Sequence, residues 1–161
     1  MYARDQGQIA TPIGSILVQG DELVIQSIQI LEEARDEVAP QGRAVSQALE
    51  QLRAWFAGDL TYFDLPLAPA ATPRGEELRA ALIALPYGKT MSYGSFARLN
   101  GSAPRAVGQL CARNPFPIVV PCHRITASGG ALGHYSAGGG PATKAWLIDH
   151  ERQHSHQESL L

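Results

Sequence analysis

Pro121-Cys122-His123-Arg124 sets a thiol beside an imidazole directly after the apolar run Ile118-Val119-Val120. A free thiol is mostly protonated at neutral pH, so a cysteine that attacks carbon needs a base and a polarised pocket. An adjacent histidine supplies the base. Cysteine is also among the most buried residue types, and Cys-His neighbours arise by chance. On the four residues alone, an inert packed thiol and a nucleophile are equally open.

The flanks narrow the choice. Asn114-Pro115-Phe116-Pro117 precedes the tetrapeptide, Gly133-His134-Tyr135-Ser136 follows it, and Trp146-Leu147-Ile148-Asp149-His150-Glu151 comes next. Weaker signals lie in the first half, at Thr11-Pro12-Ile13-Gly14 and Trp55-Phe56-Ala57-Gly58-Asp59-Leu60. Taken in this order, the segments resemble the O6-alkylguanine-DNA alkyltransferases, a family that repairs alkylated guanine by moving the alkyl group onto its own cysteine. The resemblance is strongest between Pro86 and Glu151.

That resemblance implies a single-turnover methylated-DNA–protein-cysteine methyltransferase. Guanine O6 lies inside a stacked duplex, so a buried cysteine reaches its alkyl group only when the nucleotide is turned out, at a cost of roughly a few kcal/mol. The family pattern assigns Arg105 to fill the gap in the stack and Tyr93 to help rotate the target phosphate, with Ser92 and Arg113 as further DNA contacts. Cys122 then displaces guanine from the alkyl carbon. His123 accepts the thiol proton through a water, and Glu151 orients and charge-stabilises His123, the base-plus-orienter logic of triads. Asn114 brackets the DNA reader and the nucleophile.

Charge left on O6 must be met by donors. The resemblance gives Tyr93 hydroxyl to the ring nitrogen, Ser136 to O6, the carbonyls of Cys122 and Ile125 to the exocyclic amine, and Tyr135 to the face of the base. It further implies O4-alkylthymine as a second substrate, double-stranded DNA approached from the minor groove, a monomer, and no cofactor. The thioether product holds no good leaving group for water to expel, so each molecule acts once. Cys111 is expected to be buried and inert on the pocket wall. Two other functions compete: a lesion-binding protein of the same fold without chemistry, against which Cys122 argues, and an unrelated thiol hydrolase, for which no oxyanion pattern is visible.

The elements that must position these residues are legible in part. Ile16 and Val18 alternate with polar neighbours, Gly20-Asp21 can turn, and Leu23 to Ile30 is rich in β-branched residues, which predicts a hairpin. From Val45, the apolar residues Ala48, Leu49, Leu52 and Phe56 keep helical spacing until Gly58. Leu60 to Leu67 suggests another strand. A proline-rich connector at 68–73 is the boundary candidate, after which Thr72 caps and Pro73 opens a helix carrying Leu78, Ala81, Leu82 and Leu85. Ser92 to Leu99 and Ser102 to Arg113 read as two helices joined at Asn100-Gly101, a helix-turn-helix arrangement. Pro115 ends the second helix at Asn114 and hands the chain to a strand carrying Cys122.

The expected fold is therefore α/β (α+β): an α/β scaffold domain with an antiparallel sheet at 1–67, a linker at 68–73, a mostly helical DNA-binding and alkyl-transfer domain at 74–152, and a frayed tail at 153–161 that includes His154 and His156.

Composition sets outer limits. An apolar fraction of 45% over 161 residues suits a folded globule with one substantial core or two small ones. No apolar run reaches the roughly 18 residues of a membrane span, and the polar start from Met1 to Gln6 lacks a signal-peptide core. A soluble protein of the cytoplasm, or of the nucleus in a eukaryote, is expected. In that setting a structural disulfide between the two cysteines is disfavoured. No Cys-x-x-Cys spacing is present, and no metal site is expected. Net charge is −2, but its distribution is uneven. No acidic residue lies between Glu77 and Asp149, where Arg79, Lys89, Arg98, Arg105, Arg113, Arg124 and Lys144 contribute seven positive charges. A basic half of this kind suits a single DNA-facing surface.

Overall fold

Branched residues alternating with polar ones from Gly14 to Leu31 drive strand formation, and the computed structural model, which describes residues 4–159 except the side chains of 156–159, turns this stretch into two sides of a meander. β1 (Asp5–Thr11), β2 (Gly14–Gly20) and β3 (Ile25–Leu31) pair antiparallel in the order β1-β2-β3. Ile16 stands between Ile9 and Ile30, and Val18 pairs with Ile28. All five are buried. The expected hairpin is present; β1 is an addition, because Asp5-Gln6-Gly7-Gln8 shows no alternation. Its place is held by backbone pairing of Gln8 with Val38 and by Gln8 Nε2 donating to Asp36 O at 2.7 Å.

Against this sheet lies α1 (Arg43–Phe56), whose buried stripe is Ala44, Val45, Ala48, Leu49, Leu52 and Trp55. Burying each large apolar side chain contributes roughly 1.5–3 kcal/mol. The helix has no capping side chain of its own; Asp5 of β1 instead accepts from Gln41 N and Gly42 N just ahead of it. The strand expected at 60–67 does not form. Pro66 breaks the ladder, and only an isolated bridge joins Leu67 to Ile25.

The chain divides into two compact units, Met1–Pro69 and Ala70–Leu161. The second opens with α2 (Pro73–Ile83), where Thr72 Oγ1 accepts from Gly75 N at 3.0 Å and Pro73 occupies the first turn. Leu78, Leu82 and Leu85 are buried. α3 (Tyr93–Leu99) and α4 (Pro104–Ala112) follow, joined through Gly101 at φ +61, the conformation that favours glycine. A short parallel pair links β4 (Met91–Ser92) to β5 (Ile125–Thr126), and α5 (Pro141–Ser159) closes the unit.

Two expectations fail here. Residues 116–120 are not a strand: they form tight turns that lead into a single 3-10 turn over Cys122–Arg124. Nor does the chain fray at Gln153, since α5 continues through Ser159; residues 160–161 and the side chain of His156 lie outside the described residues. Among the described residues, no helix is long and apolar enough to cross a membrane.

Candidate active site

Asn114 organises the approach to the thiol. It follows Arg113, the C-terminal cap of α4. Its Oδ1 accepts from Phe116 N at 3.0 Å and its Nδ2 donates to Val120 O at 2.9 Å, so one side chain pins both ends of the apolar segment. Val120 N also bonds Phe116 O at 2.9 Å. The curl forces Ile118 to φ +74, a left-handed conformation that costs a β-branched residue roughly 1–3 kcal/mol. Burial of Phe116, Ile118, Val119 and Val120 holds it there. This explains the missing strand: apolar composition fixed the depth of the segment, while the Asn114 clamp fixed its shape.

Beyond the clamp, the 3-10 turn buries Cys122, His123 and Arg124 on successive sides. His123 Nε2 meets Glu151 Oε2 at 2.7 Å. Arg124 is equally committed to that carboxylate, donating from Nε to Oε1 at 2.9 Å and from Nη2 to Oε2 at 2.8 Å, while its Nη1 donates to Leu85 O at 2.6 Å. Gly88 N adds a fourth donor to Glu151 Oε1 at 3.2 Å. Burial works against the Glu151 charge, but His123 and Arg124 outweigh it and hold the carboxyl at about 2. Burial also lowers His123, over the opposing pull of Glu151, and keeps the ring neutral. An anionic Glu151 facing Nε2 selects the Nε2–H tautomer and leaves Nδ1 as the basic ring atom.

The thiols behave differently from expectation. Cys122 is 3% exposed. The neighbouring Cys111 thiol, followed by burial, pushes Cys122 well up, against smaller lowering from Asn114 and Lys144. Cys122 therefore rests as a thiol. Cys111 is not sealed in the core. It is partly exposed, lines a cavity, and is lowered chiefly by the neighbouring Cys122 thiol.

That cavity, about 760 Å³, is walled by Tyr93 of α3, by Arg105, Gly108 and Cys111 of α4, and by His134, Tyr135 and Ser136 of the glycine-rich loop. Lys144, buried on α5, donates to His134 O at 3.1 Å and lies 5.5 Å from the Tyr93 ring centre. Tyr93 hydroxyl donates weakly to the same carbonyl at 3.4 Å. The Tyr135 hydroxyl is buried with no hydrogen-bond partner among the described residues, and burial drives its pKa far up. Ser136 Oγ donates to Ala112 O at 3.3 Å. A larger hollow of about 890 Å³ in the first unit is lined by residues such as Gln6, Gln19 and Gln26, with no cysteine or histidine among its described lining residues.

Of the residues expected from sequence, Tyr93, Arg105, Tyr135 and Ser136 share the cavity wall. Cys122, His123, Glu151 and Asn114 form the buried layer. Ile125 is buried in β5 beside them. Ser92 spends its hydroxyl capping α3, accepting from Ser95 N at 3.1 Å, and Arg113 is exposed at the end of α4, outside the cavity lining. Three participants were missed: Arg124, Lys144 and Gly88. Both Arg124 and Lys144 belong to the basic stretch that suits a DNA-facing surface, yet they are 4% and 0% exposed. A cation next to a buried Cys-His pair, with a carboxylate in a following helix, was the available signal.

Both units match family models. Residues 6–69 match the 6-O-methylguanine DNA methyltransferase ribonuclease-like domain and residues 75–153 its DNA-binding domain. The methylated-DNA–protein-cysteine methyltransferase of Mycobacterium tuberculosis strain H37Rv is 38% identical over 159 residues, 95% of each chain. The constitutive enzyme of that name from Bacillus subtilis strain 168 is 35% identical, covering 88% of this chain and 92% of its own. A crystal structure of the M. tuberculosis O6-methylguanine methyltransferase superposes with a TM-score of 0.80 at 35% identity over 94% of both chains. The M. tuberculosis OGT in complex with DNA gives 0.78 at 37% identity, over 91% of this chain and 92% of that one.

Proposed function

The chain belongs to the 6-O-methylguanine DNA methyltransferase family and repairs DNA by alkyl transfer to cysteine, and from that membership we propose that Cys122 is the acceptor and that its neighbours divide the chemistry as follows. An O6-alkylguanine turned out of the duplex enters the cavity between Tyr93 and Tyr135, with Arg105 at the rim taking the vacated place in the stack. Cys122 sulfur bonds to the alkyl carbon as the carbon–O6 bond breaks, in line. The thiol proton goes to His123 Nδ1, directly or through a water, and the resulting imidazolium faces Glu151. Because Cys122 rests protonated, its thiolate forms in the reacting complex and is not held exposed between encounters.

Guanine leaves with negative charge on O6, which Tyr93 hydroxyl, Ser136 and the ammonium of Lys144 are disposed to meet. The carbonyls of Cys122 and Ile125 accept from the exocyclic amine. The first unit serves as scaffold and the second reads minor-groove DNA as a monomer. Its compartment is that of its substrate, the cytoplasm of a bacterial cell or the nucleus of a eukaryotic one. O4-alkylthymine is a second substrate. Damage recognition without chemistry is disfavoured by the presence of Cys122.

The observation that carries this reading is the Cys122-His123 turn buried against Glu151 beneath a cavity walled by two tyrosines and an arginine. DNA bearing labelled O6-methylguanine tests it. One label per protein molecule should appear on the Cys122 peptide, and none in Cys122→Ala; repeated turnover, or label elsewhere, refutes the assignment.

A further inference from the structure

Glu151 is held by more donors than one histidine requires. Its Oε2 meets His123 Nε2 at 2.7 Å and Arg124 Nη2 at 2.8 Å, and its Oε1 accepts from Arg124 Nε at 2.9 Å and Gly88 N at 3.2 Å. The guanidinium thus spans both oxygens, the bidentate fork that fixes a carboxylate in its plane. Arg124 is itself anchored twice more. Its Nη1 donates to Leu85 O at 2.6 Å, and its guanidinium carbon lies 5.6 Å from the centre of the Tyr87 ring. Both partners of the fork are buried.

The fork decides where Oε2 lies, and Oε2 is the atom that His123 faces. It also decides how strongly the carboxylate draws a proton onto the ring. An unopposed Glu151 in a buried site favours imidazolium, which has no lone pair left for the Cys122 proton. With Arg124 in place, the three side chains carry no net charge while the ring is neutral and gain one when it is protonated. Burial is the first influence that disfavours charge on His123, Arg124 the next and Lys144 of α5 a smaller one, all against the pull of Glu151. We propose that Arg124 is a positioning residue for alkyl transfer: by gripping both oxygens of Glu151 and offsetting its charge, it aims Oε2 at His123 Nε2 and leaves the opposite ring nitrogen open to the Cys122 proton. This role rests on Cys122 and His123 dividing the chemistry as proposed.

The thiol proton moves to His123 Nδ1 as sulfur bonds to the alkyl carbon and the carbon–O6 electron pair leaves with guanine. The imidazolium then gives that proton to the guanine anion, through water, and the ring is neutral again. Because Arg124 opposes charge on the ring, the imidazolium lasts no longer than the transfer needs. Fork and charge can be separated by substitution. Lysine at position 124 keeps the positive charge but replaces the planar fork by a single donor point, so aim is lost while the balance of charge stays. Methionine removes both.

Single-turnover assays of the full chain with free O6-benzylguanine read the chemistry without DNA. For Arg124→Lys the saturated rate should fall about tenfold at an unchanged half-saturating concentration, the cost of a misaimed base. The acid limb of its pH–rate profile should stay within about 0.3 unit of the unsubstituted chain, since the charge is kept. For Arg124→Met the acid limb should move up by about one unit or more, because the ring takes a proton sooner as pH falls and a protonated ring accepts none from Cys122. Nitrogen NMR of imidazole-labelled protein, with the His123 signal assigned by its loss in His123→Gln, should show the same displacement in its titration. Should Arg124→Met not fold, Arg124→Gln carries the same reading with a neutral donor. A folded neutral variant whose limb and titration both match the unsubstituted chain overturns the proposal, and so does an Arg124→Lys protein that transfers at the full rate. A displaced His123 titration alongside an unsubstituted chain that transfers no alkyl group confirms the hold of Arg124 on the pair and instead sinks Cys122 as acceptor.

Discussion

His123 Nε2 and Glu151 Oε2 are 2.7 Å apart, with side chains 0% and 2% exposed, so the contact is closed to solvent, and Arg124 and the Gly88 amide bond the same carboxylate. Replacing Glu151 by Gln keeps the shape and removes the charge. Arg124 is then a buried cation without its counter-ion, which costs about 3–5 kcal/mol, and His123 loses the anion that sets its tautomer. Urea denaturation should show that loss in Glu151→Gln, and single-turnover alkyl transfer should fall by roughly 10²-fold or more.

Acid should unfold the protein through the same pair. Glu151 is held at about 2 against an ordinary 4.5, so its contribution is complete above 4.5 and is lost as pH falls toward 2. A shift of this size corresponds to about 3 kcal/mol. His123, lowered from 6.5 by burial, acts in the same direction: the unfolded chain takes up a proton first, so stability begins to fall once pH drops below 6.5. Denaturation midpoints measured from pH 7 down to 3 should decline throughout, with the Glu151→Gln variant showing the shallower slope below 4.5.

Arg105 stands exposed on α4 at the cavity wall, with no hydrogen bond or ion pair to another described residue. Its work is on DNA. Arg105→Ala should therefore slow repair of duplex DNA by at least about tenfold, the scale of one lost stacking or phosphate contact. Reaction with free O6-benzylguanine should stay within about twofold, since no base must be flipped. Equal losses on the two substrates would remove the arginine from base extrusion.

At Gly88 the backbone sits at φ +79, and a Cβ would lie 2.0 Å from Ser155 Oγ and 2.8 Å from Ser155 Cβ. The same residue aims its amide at Glu151. Gly88→Ala should cost about 2 kcal/mol or more, from left-handed strain plus the collision. A thermal melt reads this directly, and Ser155→Gly in the same chain should recover part of the loss.

Much of this architecture could be read from residue patterns, because the relevant forces are local. Thr72 and Pro73 announce a helix start by capping chemistry alone, and the Asn100-Gly101 turn between α3 and α4 follows from glycine tolerance of φ +61. Helical spacing of Ala48, Leu49 and Leu52 placed α1 to within a few residues. The failures arise where a distant partner decides. β1 has a polar sequence and exists through its pairing with β2 and Val38; 116–120 has a strand-like composition and is bent by Asn114. In the site, motif order led to Cys122, His123 and Glu151, but the burial of Arg124 and Lys144 depends on packing that no local pattern encodes.

The inward turn of those two cations changes how the protein should respond to its ionic surroundings. Arg79 lies over the Phe116 ring and beside Glu76, which leaves Lys89, Arg98, Arg105 and Arg113 as the outward charges of the acid-free stretch. If those four alone displace counterions from a duplex, the logarithm of the association constant falls with the logarithm of salt at a slope of about −3.6. Grip on undamaged DNA therefore loosens more gradually as ionic strength rises than the slope of about −6.3 that seven such contacts would give.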